Sequence, residues 1–181
     1  QPGPSTTVMV PAGAGAAFYA RHLGARVINV GTLEAAELVK LSGMIYRDVN
    51  IALANELAAY CEAVGEDYWR IADASNDDDE THLLFPGIGV GGHCTPVYPY
   101  FIIRDGERRG VMQRLAASAR AINDAQPERN VERLACAWTP LNGKRVHILG
   151  LSFRPDVKVD IFSTAYPLRA ALRARGAQVT L

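Results

Sequence analysis

The longest regular pattern in the chain begins at Thr32 and runs to about Val64. Leu38, Leu41, Ile45, Val49, Ala52, Leu57, Tyr60 and Val64 recur at helical spacing, with no proline and with Gly43 as the one glycine among them. Thr32 can cap the first turn, and Glu34 and Glu37 stand where carboxylates favour the helix dipole. The pattern predicts a helix of about thirty residues, long enough to suggest a spine against which a second copy packs. Lys40, Met44 and Arg47 fall at i, i+4 and i+7, on a common face beside that stripe. Taken alone, Lys40 and Arg47 read as a solvated flank.

On either side the pattern is shorter. Val8-Met9-Val10, the alanine-rich stretch 14–23 and Arg26-Val27-Ile28-Asn29-Val30 predict strand, helix and strand, with Gly24 as helix C-cap. Residues 66–75 predict a short helix, and Asn76-Asp77-Asp78-Asp79-Glu80 a solvated acidic loop without calcium-ligand spacing. Residues 111–125 and 127–138 read as helices, and Asn142-Gly143 as a turn. A buried-type strand is expected at 144–151, a helix at 163–176 and a strand at 177–181. The implied fold class is α/β: a mainly helical centre with a long spine, flanked by partial Rossmann-like βαβ segments. No internal repeat is present.

Composition narrows the partners. The chain of 181 residues is 49% hydrophobic and 21% charged, enough for a packed core. Nineteen basic and nineteen acidic side chains cancel, so no net field favours nucleic acid or an anionic membrane. No apolar run is long enough to span a bilayer, and the first residues lack the basic and apolar regions of a signal peptide. Cys61, Cys94 and Cys136 are odd in number and widely spaced. That argues against a disulfide framework and a zinc site, and suits a reducing, cytoplasmic setting.

Chemistry concentrates in Pro86-Gly87-Ile88-Gly89-Val90-Gly91-Gly92-His93-Cys94-Thr95-Pro96-Val97. Glycines let a ligand approach the main chain closely, and their amides can converge on an anion or a developing oxyanion. A thiol placed there can be a nucleophile if neighbouring charge favours the thiolate. A tight glycine turn ending in a buried structural cysteine is the other reading. Gly13-Ala14-Gly15 after a strand begins a dinucleotide fingerprint, but Phe18 fills the third glycine position. No acidic residue closes the second strand, so no nucleotide site is expected there.

Several segments in order resemble the UDP-glucose/UDP-N-acetylmannosamine/GDP-mannose 6-dehydrogenase family, most of all its bacterial UDP-N-acetylmannosamine branch. They are residues 34–41, 46–57, 86–97, 119–124 and 143–156, the last ending Gly150-Leu151-Ser152-Phe153-Arg154-Pro155-Asp156. The resemblance implies two Rossmann-type domains, for NAD and for UDP, joined by a helical dimerisation domain. It implies two oxidations of a sugar C6 alcohol through a thiohemiacetal and a thioester on cysteine. On this chain Cys94 matches the nucleophile and Lys40 the lysine that supports the alkoxide and oxyanion. Gly89, Gly91, Gly92 and His93 match the loop along the sugar; Arg47, Phe153 and Arg154 match substrate-contacting positions.

The same resemblance divides the chain into an NAD-domain remnant (1–31), a dimerisation domain with the cysteine loop (32–140) and the start of a UDP domain (141–181). The family's glycine fingerprint would lie before residue 1. Three positions depart from the family: Met44 for an asparagine, Tyr98 for an aspartate and Ile161 for an arginine. Methionine cannot donate a hydrogen bond, and tyrosine is not a base near neutral pH. The resulting expectation is a truncated, divergent homodimeric homologue with no metal, not competent alone in NAD-dependent oxidation. The alternatives are NAD-independent chemistry that reuses Cys94 and Lys40, an ordinary dehydrogenase of which this is one part, and a dimeric scaffold.

Overall fold

Residues 7–11, 13–23 and 26–181 are described by the computed structural model of the chain. Strand β1 (Thr7–Pro11) pairs in parallel with β2 (Arg26–Gly31), joined through helix α1 (Ala14–Leu23). This is the strand–helix–strand order the hydrophobic pattern predicts; the proposed C-cap Gly24 lies outside the described residues. The chain divides into two compact units, Gln1–Met44 and Ile45–Leu181.

The spine helix α2 (Leu33–Val64) starts where the sequence indicates. The Thr32 side-chain oxygen accepts the Ala35 amide at 3.1 Å, and Gly65 leaves the helix in the left-handed region at φ 78°. Its burial differs from the apolar stripe expected. Leu38, Tyr60 and Val64 are exposed, whereas Asp48, Asn50 and Asn55 are buried. Those polar side chains have partners waiting, Asp48 and Asn55 on a later helix and Asn50 on the backbone of His82 and Leu84, which is the condition for burying them.

In the second unit, Ala54 and Cys61 of α2 pack with Tyr68 and Ala72 of α3 (Tyr68–Ser75), and the Asp67 side chain caps α3. The acidic run 76–80 is an exposed turn, closed by two hydrogen bonds between Asn76 and the Leu83 backbone. Helix α4 (Tyr98–Arg109) has no counterpart in the sequence reading. It starts at an aromatic residue with no side-chain cap and contains Gly106, yet Pro99 suits its first turn. Gly110, at φ 73°, ends it. The next helix α5 (Arg114–Asp124) therefore begins three residues later than expected, because the Val111 amide bonds back to Gly106.

Helix α6 (Gln126–Ala137) leads to strand β3 (Arg145–His147), helix α7 (Ala165–Ala174) and strand β4 (Gln178–Thr180). The eight-residue strand expected at 144–151 is reduced to three, since β4 pairs in parallel only with Arg145, Val146 and His147. Val131, Leu141, Ile148, Leu172 and Val179 form the apolar core beneath this βαβ piece. Among the described residues there are seven helices and two separate two-stranded parallel sheets, an α/β architecture. No helix among them is long and apolar enough to cross a membrane.

Candidate functional site

The glycine loop runs between α3 and α4 and packs against the irregular segment that precedes α7. At its start, the Gly87 amide donates to Asn55 Oδ1 at 2.9 Å, and Asn55 Nδ2 donates to Asn123 Oδ1 at 3.0 Å. Asn123 Nδ2 in turn reaches Asp48 Oδ1 at 2.8 Å and the Asp48 carbonyl at 2.9 Å. Arg120, 2% exposed, donates to Asp48 Oδ1 at 2.6 Å and also pairs with Asp124. The loop entrance is thus bolted to α2 and α5 through a chain of buried polar groups.

Burial pushes the Asp48 carboxyl above its ordinary range, against the pull of Arg120 and Asn123. Asp48 Oδ2 and Arg120 Nε have no hydrogen-bond partner. Desolvation without full compensation explains why the carboxyl holds its proton more tightly despite an adjacent guanidinium.

The far end of the loop is held by close contact. A Cβ at Gly91 would lie 2.8 Å from Phe153 Cβ and 3.1 Å from the Phe162 carbonyl oxygen. One at Gly92, where φ is 93°, would meet the Phe153 ring at 3.0 Å, and one at Gly89 would meet Thr164 Cγ2 at 3.0 Å. Glycine is required here by approach as well as by conformation. The His93 ring stands edge-on to Phe162, with centroids 6.0 Å apart. Phe162 has φ 55°, a left-handed backbone that costs a bulky residue roughly 1–3 kcal/mol.

Two clefts flank the loop. One, of about 410 Å³, is lined by Asn55, Trp69, Gly87, Ile88, Arg129 and Arg133, among others. The other, of about 310 Å³, lies between Gly89, Val90 and the Phe162–Thr164 stretch. Cys94 lines neither. It sits half-buried beyond the loop, one turn before α4, whose first amides come back to it: Tyr98 N to Cys94 O is 2.8 Å. The Tyr98 hydroxyl hydrogen-bonds the Cys94 side chain, which holds the phenol proton and raises its pKa above the ordinary value.

Gly91 and Gly92 are therefore brought against Phe153, Gly89 against Thr164 and His93 against Phe162, while Arg154 lies over the Phe153 ring at 5.9 Å. Ile161 is exposed beside them in sequence. Lys40 and Arg47 are exposed on α2, and Met44 between them is buried. Sequence reasoning missed Phe162 and Thr164, which have no motif of their own, and the Asp48–Arg120–Asn123–Asn55 chain. The members of that chain fall in segments 46–57 and 119–124, but their pairing carries no signal of its own in the sequence.

In residues 13–31, Phe18, which is 58% exposed, stands at the third position of the glycine pattern, where a glycine would allow close helix–strand packing, and β2 carries no carboxylate. Among the described residues, no group of three His, Cys, Asp or Glu is placed to hold a metal ion.

Residues 34–125 match the family described as UDP-glucose/GDP-mannose dehydrogenase family, central domain. The UDP-N-acetyl-D-mannosamine dehydrogenase of Campylobacter jejuni is 34% identical over 122 residues, covering 67% of this chain and 29% of that enzyme. That of Methanocaldococcus jannaschii is 38% identical over 124 residues, covering 68% and 28% respectively. The solved UDP-glucose dehydrogenase of Pyrobaculum islandicum superposes with a TM-score of 0.87 at 28% identity, over 97% of this chain and 42% of that one. The chain thus spans less than a third of the length of these curated relatives.

Proposed function

The chain belongs to the UDP-glucose/GDP-mannose dehydrogenase family, and from that premise we propose that its glycine loop and Cys94 form the sugar-facing part of a nucleotide-sugar dehydrogenase. The ligand class is a UDP-linked N-acetylated hexosamine, the substrate type named in the relatives of Campylobacter jejuni and Methanocaldococcus jannaschii. The observation that carries the reading is the loop itself. Its glycines are pressed against Phe153 and Phe162 on one side and lead directly to a half-buried thiol on the other.

In this reading Cys94 adds to the aldehyde carbon at C6 of the sugar. A C–S bond forms, and the carbonyl π pair moves onto the oxygen, where loop amides are suited to receive negative charge. His93, Arg47, Phe153 and Arg154 contact the nucleotide sugar. NAD is the oxidant of the family, and residues 13–31 carry only part of the glycine pattern that would hold it. The spine helix supplies a homodimer interface: Tyr46, Leu53 and Tyr60 recur every seven residues and are all exposed.

The deciding experiment is thermal unfolding of the chain with UDP, a panel of UDP-sugars and NAD. A ligand at about 100 times its dissociation constant adds roughly 2.7 kcal/mol. For a chain of this size that raises Tm by roughly 5–10 °C. Stabilisation by UDP-N-acetylhexosamines and not by NAD is the expected result. Silence from every nucleotide sugar, with the dimer intact by sedimentation, would replace this reading with that of a dimeric scaffold.

A further inference from the structure

Cys94 opens a hydrogen-bonded run that leads from the glycine loop into α4. Its carbonyl accepts from Val97 N at 3.2 Å and from Tyr98 N at 2.8 Å, and Tyr100 N donates to the Val97 carbonyl at 3.1 Å. Pro99, inside that run, is fully buried, so the run is seated as well as bonded. Whatever holds Tyr100 therefore also holds the turn that carries the thiol.

Tyr100 is held, through one carboxylate, by Arg120. The Tyr100 hydroxyl donates to Asp124 Oδ2 at 3.1 Å, and the other oxygen of the same carboxylate accepts from Arg120 Nη2. The second terminal nitrogen, Arg120 Nη1, donates to Asp48 Oδ1 at 2.6 Å. From Asp48 the contacts pass through Asn123 and Asn55 to the Gly87 amide. Residues 87–100 are thus closed into a circuit, with a single buried guanidinium joining its two ends. A guanidinium suits that place, because its terminal nitrogens diverge at a fixed angle in one plane. It sets the separation of two carboxylates as well as balancing their charge.

We infer that Arg120 is a positioning residue for Cys94: it holds the cysteine turn in fixed register with the entrance of the glycine loop. The inference rests on the reading of Cys94 as the reactive group of the site, and adds to it the group that sets where the thiol stands relative to the loop amides. Asn123 and Asp124 also line the cleft of about 310 Å³ beside Gly89 and Val90, so the circuit closes along a wall of that cleft.

The two arms of the circuit differ in burial. The side chains of Arg120 and Asp48 are 2% and 1% exposed, whereas that of Asp124 is 55% exposed and Tyr100 is 42% exposed. Breaking the arm towards Gly87 strands a buried charge and costs stability. Breaking the arm towards Tyr100 removes one hydroxyl at the surface, where substitutions cost little. Positioning can therefore be measured apart from folding.

The test is Tyr100→Phe, which leaves Arg120 and every buried member of the circuit in place. Its Tm should stay within about 2 °C of the parent chain. Alkylation of Cys94 by iodoacetamide, quantified by mass spectrometry with the exposed Cys136 as internal reference, should rise about two- to tenfold. Exchange of the Gly87 amide, at the opposite end of the circuit, should rise by about the same factor. Phe101→Ala is the control, because it removes the ring that lies 5.8 Å from that of Tyr98 and loosens the start of α4 without touching Asp124 or Arg120. Gly87 should exchange there at the parent rate. The inference is overturned if Cys94 or Gly87 does not respond to Tyr100→Phe, or if Gly87 responds equally to Phe101→Ala. Neither measurement uses a nucleotide sugar, so a silent ligand panel would remove the proposed function and leave the circuit to stand or fall on its own.

Discussion

The two ends of the glycine loop are held by opposite means. Its entrance is tied by directional polar contacts, Gly87 to Asn55, Asn55 to Asn123, and Asn123 with Arg120 to Asp48. Its exit is tied by the absence of side chains, Gly91 and Gly92 lying flush against Phe153. A polar anchor specifies one register, since each donor has one acceptor; a steric anchor specifies closeness, and fails as soon as any atom is added. The loop needs both, because its amides must be near a ligand and also aimed at it.

Each anchor can be broken separately. Arg120→Ala leaves Asp48 charged and unpaired in the interior, and should cost about 3–5 kcal/mol in urea unfolding. Replacing both partners together, Asp48→Leu with Arg120→Met, should cost far less, because no lone buried charge remains. Gly91→Ala should cost about 1–3 kcal/mol through overpacking. Phe153→Ala cannot relieve it, since the clash is with Phe153 Cβ, which alanine keeps. Gly92→Ala should be partly relieved by the same Phe153→Ala, because there the clash is with ring atoms. What remains is the cost of a side chain at φ 93°. Asn55→Ala should cost about 1 kcal/mol and free the loop entrance, read as faster amide exchange at Gly87.

The smallest effect is a pH dependence. The Asp48 carboxyl is raised above its ordinary value of 3.8, so the folded chain binds that proton more tightly than the unfolded chain. Its contribution to stability is therefore greatest below 3.8, declines as pH rises through the raised value, and is level beyond. Stability of the parent minus that of Asp48→Asn, followed from pH 3 upward, should fall with pH; a rise would mean that Arg120 outweighs burial.

Local signals were legible where one residue decides the outcome. Thr32 starts α2 and the apolar pattern ends with it at Val64, and the two strand–helix–strand patterns give the two parallel pairs. Helix α4 was not legible, because Pro99 and Gly106 read as loop residues. Gly106 is nevertheless suited to its place, since a Cβ there would lie 2.4 Å from the Val111 carbonyl oxygen. Strand β3 was overestimated because apolar sequence alone does not state how many residues its neighbour will pair. In the site, the glycine loop and its cysteine were legible as a motif. The loop's supports were not, because Asp48 and Arg120 lie 72 residues apart in sequence. Nor could a pattern of apolar positions announce that Asp48 and Asn55 face inward.

Between His147 and Ala165 the chain has neither helix nor strand, and it exposes Leu149, Ile161 and Phe162. Ser152 to the Val157 carbonyl and Ser163 to the Leu151 carbonyl are among the bonds that hold it. A stretch with so few backbone bonds opens at low free energy while the helices beneath it stay folded. Its amides should exchange with solvent well ahead of those in α5 and α6. Since the same stretch carries Phe153, each such opening bares Gly91 and Gly92, and the rate of that local melting sets an upper limit on how quickly anything beneath Phe153 can come and go.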